Sequence, residues 1–268
     1  MMSGDLDTTS PVDAIARSRR QAIGRWLWSG SHVSHVVAIA LVLVAISFAT
    51  RPSDVWTADE GAVRAQVEFL YTDGTWSAVR PFASIDPEEL LAPIHGASIE
   101  GDRYYPYTKQ PLLPALLTPL RSLGGGAPII AWSLVGTVGF AVVVGMSVRR
   151  FDERLMNLAM WIAALFTPAF FYGFTVLGHT MAAAACGAVA LIAITHGRRA
   201  TPWWFVAMGC AGFASALRAE AVIYSAAVAV AVVVVGVRTS RRASIGLAAA
   251  LIVASVGAVA ATAAWDAS

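Results

Sequence analysis

The fold of this chain is decided by the apolar stretch Ile129-Ile-Ala-Trp-Ser-Leu-Val-Gly-Thr-Val-Gly-Phe-Ala-Val-Val-Val-Gly-Met-Ser-Val148, in which no residue is charged. As a helix it spans about 30 Å, which is the thickness of a bilayer's hydrocarbon core. Six further apolar stretches resemble it in composition, namely 33–49, 155–172, 176–195, 203–219, 221–237 and 244–264. Because lipid offers the backbone no hydrogen-bond partners, such stretches cross as helices. The sequence predicts an all-α, multi-spanning membrane protein with about seven spans.

Basic residues are divided unevenly between alternate connections. Twelve arginines lie in the tail and in the connections after the second, fourth and sixth spans. Six basic residues lie on the other side, all within residues 50–128. Basic residues favour the cytoplasmic side. The tail, residues 1–31, is therefore predicted to be cytoplasmic and loop 50–128 extracytoplasmic. The arginine- and alanine-rich composition suggests a bacterial protein, so the membrane is predicted to be the plasma (inner) membrane.

The loop 50–128 is too long for a simple connector. Thr57-Ala-Asp-Glu60 has the spacing of a capping box, and the apolar residues from Val63 to Leu70 fall on one helical face. This pattern predicts an amphipathic helix lying along the membrane surface. Two further short helices are predicted, one starting at Asp86 and one running from Pro111 to Leu123.

The chain contains a single lysine, Lys109, among nineteen basic residues. It lies in the aromatic, proline-rich segment Gly101-Asp-Arg-Tyr-Tyr-Pro-Tyr-Thr-Lys-Gln-Pro111. A compact ammonium is suited to a point-charge contact with a phosphate. The alternative is drift on a solvated loop, because loops tolerate variation.

A few ionisable residues fall at the outer ends of predicted spans. His179 begins the fourth span, Arg218 and Glu220 lie where the fifth emerges, and Asp59 and Glu60 start the first loop helix. Charge at membrane depth is costly, so such residues are functional candidates. Each also has a purely structural explanation. His179 would be an interfacial histidine hydrogen-bonded to a carbonyl, and Asp59 and Glu60 would be first-turn acids favoured by the helix dipole. A local pair of Arg218 with Glu220 is disfavoured, because residues two apart on a helix point to different faces.

Taken together, these groups share one water–lipid boundary. A carboxylate pair, a lysine with tyrosines and an arginine at membrane depth suit an amphipathic ligand. Such a ligand would place a lipid tail between helices, an anionic phosphate against the cations and a polar group near a carboxylate.

The order of these motifs resembles a known family. A first span is followed by Asp59-Glu60, by a Gly-x-x-Tyr-Tyr…Lys-x-Pro-Leu-Leu segment from Gly101 to Leu113, by His179-Thr180 and by Leu217-Arg-Ala-Glu220. This resembles the N-terminal half of the GT-C superfamily of polyprenyl-phosphate-sugar-dependent glycosyltransferases, which includes protein O-mannosyltransferases and aminoarabinose transferases. The resemblance covers roughly residues 33 to 225.

The resemblance implies a GT-C-like transmembrane domain over residues 32–268. Its activity would move a sugar from a polyprenyl-phosphate donor to a glycan, lipid or protein acceptor at the extracytoplasmic face. Asp59, with Glu60 as its neighbour, would be the general base or the ligand of a divalent metal ion. Lys109 and Arg218 would hold the phosphate of the donor.

The remaining implied roles concern the sugar and the pocket. Tyr105 would line the donor pocket, and Glu220 or His179 would orient the sugar or the acceptor. The chain departs from the family pattern at two positions. Gln110 stands where relatives often carry proline after the lysine, and Gly178 stands where some carry an acid. The second departure weakens a catalytic role for His179.

Family members usually have more spans, whereas this chain ends at Ser268, after the seventh predicted span. It is expected to correspond to the N-terminal half of such an enzyme, as a truncated copy or a fragment, or else to be a compact member of the family. The alternatives are a transporter or flippase of lipid-linked sugars and a non-catalytic, truncated membrane scaffold. A transporter is disfavoured because the polar groups cluster at one face and not at the midplane. Membrane lipid is an expected partner, and nucleic acid is not.

Overall fold

The computed structural model describes residues 31–50, 58–79, 98–100, 103–105, 110–124, 126–197 and 201–266. Within these ranges the fold is helical, as predicted, apart from one small sheet. The helices, in chain order, are α1 His32–Ala49, α2 Ala58–Thr72, α3 Leu112–Arg121, α4 Gly126–Arg149, α5 Met156–Leu165, α6 Pro168–Tyr172, α7 His179–His196, α8 Trp203–Leu217 and α9 Ala221–Asp266.

Among the described residues, four helical segments are long and apolar enough to cross a membrane, which supports the prediction of a helical membrane protein. They are α1, α4, α7 and the second half of α9, Ser240–Trp265. The two halves of α9 meet at a kink, where Ser240 leaves helical geometry with φ −159° and ψ 71°. The first half, Ala221–Gly236, and α8 are apolar but shorter.

The stretch 155–172, predicted as a single span, is divided into α5 and α6. Pro168 has no amide hydrogen with which to continue the helical ladder. Thr167 adopts an extended conformation, and its hydroxyl accepts a hydrogen bond from the amide of Ala169 at 3.3 Å. This is an N-cap, so α6 begins as a new helix.

The loop 50–128 contains α2 and α3, close to the positions predicted for two of its helices. It also contains an unpredicted antiparallel sheet of three short strands, β1 Ala78–Val79, β2 Ser98–Glu100 and β3 Arg103–Tyr105. The strand order is β1-β3-β2, with Tyr104 opposite both Ala78 and Ile99. The helix predicted at Asp86 lies outside the described residues.

Helices α2 and α3 form a shelf whose apolar faces contact protein. Val67 of α2 is buried in one cluster with Leu113 and Leu117 of α3. Glu68 accepts two hydrogen bonds from the guanidinium of Arg121, at 2.9 and 3.2 Å. The apolar face of α2 is covered by α3 and by residues of the longer helices in the same cluster. That α2 lies along the membrane surface stays a prediction.

The start of α1 is joined to the start of α5 by polar contacts. His32 Nδ1 lies 2.7 Å from the Asn157 side-chain oxygen, and Trp161 donates a hydrogen bond to His35 Nδ1 at 3.1 Å. Because an indole nitrogen can only donate, His35 Nδ1 acts as an acceptor and its ring is neutral. These contacts place both helix starts at one end of the bundle.

The loop 50–128 meets the opposite end of the bundle. The rings of Trp76 and Trp265 pack edge to face with centroids 5.5 Å apart, so the loop contacts the end of α9. The amide of Val176, just before α7, donates to the Glu60 carboxylate of α2 at 2.7 Å. The described helix ends therefore fall into two groups, one at each end of the bundle. Helices α4 and α7 run in parallel, with Gly136 facing Thr180 and Gly187 facing Val143.

Candidate functional site

Four predicted site residues lie together where α2, α7 and α8 meet, and we call them the charged cluster: Asp59, His179, Arg218 and Glu220. Arg218 Nη2 donates to Glu220 Oε1 at 2.9 Å. His179 is the first residue of α7. The charges of Arg218, Glu220 and Asp59 all act on its ring. Residues that are far apart in sequence therefore share one electrostatic site.

The ion pair of Arg218 with Glu220 corrects the expectation that these two residues face apart. That expectation assumed helical geometry, but α8 ends at Leu217 and Arg218 is extended, with φ −151° and ψ 111°. The turn between α8 and α9 brings the side chains together. The Glu220 backbone amide, by hydrogen bonding, and the charge of Arg218 lower the pKa of the Glu220 carboxyl.

Gly178 lies where the start of α7 contacts the end of α8. A Cβ at this position would lie 3.4 Å from both the Cβ and the carbonyl oxygen of Leu217. Leu217 precedes Arg218, and the charge of Arg218 acts on the His179 ring.

The two neighbouring acids of α2 have different environments. Glu60 is buried, with 8% of its surface exposed, and its carboxylate accepts the Val176 amide at 2.7 Å. Asp59 is exposed, and its charge acts on His179. Glu60 therefore holds the segment before α7 in place, whereas Asp59 remains accessible to a ligand.

His179 stacks on Tyr172, with ring centroids 4.1 Å apart and an interplanar angle of 3°. Its Nδ1 atom is buried and, among the described residues, has no hydrogen-bond partner. Buried polar atoms without a partner are uncommon in folded proteins. This nitrogen is thus available to a ligand that enters beside the stacked rings.

An apolar cavity of about 270 Å³ adjoins the charged cluster and shares His179 with it. The cavity is lined by residues of α4, α6 and α7 and of the turn before α6: Phe140, Thr167, Pro168, Ala169, Tyr172, His179, Thr180 and Ala183. The hydroxyl of Thr180 already donates to the Ser133 carbonyl at 2.9 Å. The walls therefore suit an apolar chain.

A set of buried hydroxyls that the sequence analysis did not single out holds the cavity walls together. Ser133 donates to the Thr175 carbonyl at 2.6 Å, and Thr137 to the Ala169 carbonyl at 3.2 Å. Thr180 bonds back to Ser133. The signal was present as two hydroxyl residues four apart on α4, which lie on one helical face.

The other predicted residues are not placed in the charged cluster. Lys109 lies outside the described residues, and Tyr105 is described only through its backbone, in β3 opposite Ser98. Across the described ranges, no three His, Cys, Asp or Glu side chains lie close enough together to hold a metal ion. Among the described residues, the surroundings of Asp59 therefore supply no metal-ligand set.

No protein-family model, curated protein or solved structure matches this chain. The resemblance to GT-C glycosyltransferases therefore stays a prediction, resting on the motif residues and their order.

Proposed function

We propose that this chain is a membrane glycosyltransferase of the GT-C type, which moves a sugar from a polyprenyl-phosphate donor to a glycan, lipid or protein acceptor. The observation that carries the proposal is that the charged cluster and the apolar cavity adjoin and share His179. A ligand that fills both must combine an anionic head with an apolar chain. A polyprenyl phosphate has this combination.

Arg218 is the proposed contact for the donor phosphate. A guanidinium carries five N–H donors in a fixed fork, and Glu220 engages one of its terminal nitrogens. Among the described residues, its other donors have no partner, and they can bind phosphate oxygens. Only 23% of the Arg218 side chain is exposed, and partial burial strengthens its interaction with an anion. Lys109 is proposed as a second phosphate contact and Tyr105 as part of the donor pocket.

In the proposed reaction, a hydroxyl of the acceptor attacks the anomeric carbon of the donor sugar. The bond between that carbon and the phosphate oxygen breaks, and the phosphate leaves with the electron pair. Asp59 takes the proton of the hydroxyl as general base, while Arg218 stabilises the charge on the leaving phosphate. His179 Nδ1 and Glu220 orient the sugar or the acceptor.

We further propose seven spans, with the tail cytoplasmic and the charged cluster at the extracytoplasmic face of a bacterial plasma membrane. The arginine distribution and the two groups of helix ends support this topology. In a background lacking Cys186 and Cys210, Thr72→Cys should react with an impermeant thiol reagent added outside cells, and Arg154→Cys should not. Labelling of both from outside would contradict the topology.

The test of phosphate binding compares two ion-paired arginines. Arg218→Gln should weaken binding of a polyprenyl phosphate by about 10-fold or more, because hydrogen bonds to charged groups contribute about 1.5–3 kcal/mol. Binding of uncharged polyprenol should change little. Arg121→Gln also breaks a pair with a glutamate, but on the shelf, and should leave both affinities unchanged. Equal weakening for the two ligands by Arg218→Gln would indicate a packing defect instead.

Reconstituted vesicles distinguish the proposed enzyme from its alternatives. A labelled lipid-linked sugar should be transferred to an added acceptor without net movement of the lipid across the bilayer. Movement without transfer would identify a transporter, and binding without either would identify a non-catalytic scaffold.

A further inference from the structure

A second cavity lies at the other end of α4, beyond the apolar cavity. Its volume is about 330 Å³, and the described residues that line it are Met146, Arg149 and Arg150. Arg150 is ten residues beyond Phe140, which corresponds to about 15 Å along a helix axis. The two cavities therefore lie at different depths, and the proposed sugar transfer does not use the second one.

The acids near this cavity are already engaged. Glu153 accepts from Arg149 Nη2 at 2.7 Å, and the Asp152 carboxylate accepts the backbone amide of Arg154 at 2.9 Å. Among the described residues, the guanidinium of Arg150 forms no ion pair. The cavity is therefore bordered by one anchored and one unpaired guanidinium, an arrangement suited to an anion with several oxygens.

Apolar side chains border the same cations. Phe151 follows Arg150 directly and is 83% exposed, and Met146, one helical turn before Arg150, is 41% exposed. An exposed phenylalanine at the end of a membrane-length helix is accounted for when lipid chains surround it. The helix dipole favours cations at a helix C-terminus, which explains why arginines occur at the end of α4. It explains neither the cavity nor the exposure of Phe151.

We infer that the Arg149–Arg150 cavity binds the phosphate of an anionic phospholipid from the adjacent leaflet. The two guanidinium groups contact the headgroup, and Met146 and Phe151 contact the upper part of its chains. Basic pockets at the ends of transmembrane helices are suited to such headgroups. Because arginine keeps its charge at all relevant pH values, binding is independent of pH near neutrality.

The test uses the whole chain, purified and delipidated in a neutral detergent. Short-chain phosphatidylglycerol should bind saturably in native mass spectrometry and raise the unfolding temperature, whereas phosphatidylcholine should do neither. Arg150→Gln should lower the affinity for phosphatidylglycerol about 10-fold or more. Arg150→Lys keeps the charge but not the fork, and should retain more affinity than Arg150→Gln.

Arg154→Gln is the matched control, because it removes the same charge from the same connection but lies outside the cavity. It should leave the affinity for phosphatidylglycerol unchanged. An equal loss in Arg150→Gln and Arg154→Gln would show diffuse attraction to a basic surface and overturn the site. Stabilisation by inorganic phosphate equal to that by phosphatidylglycerol would show a site for free phosphate and overturn the lipid assignment. Wild-type affinity in Arg150→Gln would overturn the proposal altogether.

Discussion

The contact of α4 with α7 leaves no room for a side chain at Gly136, and Gly136→Ala tests how strongly this contact supports the site. A Cβ there would lie 2.7 Å from the Met181 amide nitrogen and 2.8 Å from the Thr180 carbonyl carbon, and would also overlap the Thr180 hydroxyl. Two of these neighbours are backbone atoms that cannot rotate away. The helices must therefore separate, as expected where glycine permits close helix approach.

The cost can be estimated from three terms. Overpacking costs about 1–3 kcal/mol, and losing the Thr180 hydrogen bond to Ser133 costs about 0.5–1.5 kcal/mol. Alanine recovers up to about 1 kcal/mol of helix propensity. The net loss is about 0.5–3.5 kcal/mol, and at about 2–4 °C per kcal/mol for a chain of this size the unfolding temperature should fall by roughly 1–14 °C.

Thermal unfolding in detergent, followed by tryptophan fluorescence, measures this change, and Gly139→Ala is the control on the same helix. Its Cβ would lie 3.4 Å from the Ala184 Cβ, an ordinary contact, so its unfolding temperature should not fall below that of the wild type. Gly136→Ala should also weaken donor binding, because Thr180 adjoins His179. An unfolding temperature of Gly136→Ala equal to that of Gly139→Ala would refute the packing argument.

Three further predictions concern the acids of the site. Asp59→Asn should lower the rate of sugar transfer about 10²–10⁴-fold while donor binding persists. A rate of transfer near that of the wild type would show that Asp59 is only a first-turn acid that stabilises the start of α2. Glu60→Ala should destabilise the fold by about 1–3 kcal/mol, because the Val176 amide loses its acceptor. Glu60→Gln should retain most of the stability, because an amide oxygen can still accept this hydrogen bond. If Glu60→Gln lost sugar transfer without losing stability, Glu60 would have a catalytic role and not a structural one. Because the folded pKa of Glu220 is lowered, its stabilisation is present above its ordinary pKa of 4.5 and is lost as pH falls through the folded value. At pH 7 the wild type should therefore unfold at a slightly higher temperature than Glu220→Gln, and in acid the two should unfold at the same temperature. A difference that persists in acid would contradict the stabilising role of the ion pair between Glu220 and Arg218.

The existence and approximate bounds of the long helices could be predicted from the sequence. The stretch 129–148 is found as α4, Gly126–Arg149, because the length and apolarity of a span are local properties. The same locality predicted α2 from its capping pattern and α3 from its apolar run. The division at Pro168 also has a local cause, the missing amide of proline, although the apolarity of 155–172 obscured it.

The charged cluster was predicted only as a set of residue types near one membrane boundary. Its geometry depends on the extended backbone of Arg218, which turns the guanidinium towards Glu220. Helical periodicity assigns the two residues to different faces, so the sequence argument led away from their ion pair. The two acids of α2 likewise looked equivalent in sequence, and the contact with Val176 distinguished them.

The sequence by itself determined the helical membrane class, because hydrophobic length and the backbone's need for internal hydrogen bonds leave few alternatives. The tertiary structure alone decided which polar groups meet. The absence of a side chain at Gly136 allows α7 to approach α4 closely, and Gly178 lies against Leu217 of α8. These contacts bring His179 beside both Tyr172 and Arg218. Such proximity arises from packing between helices distant in the chain, which the pattern within any one helix does not contain.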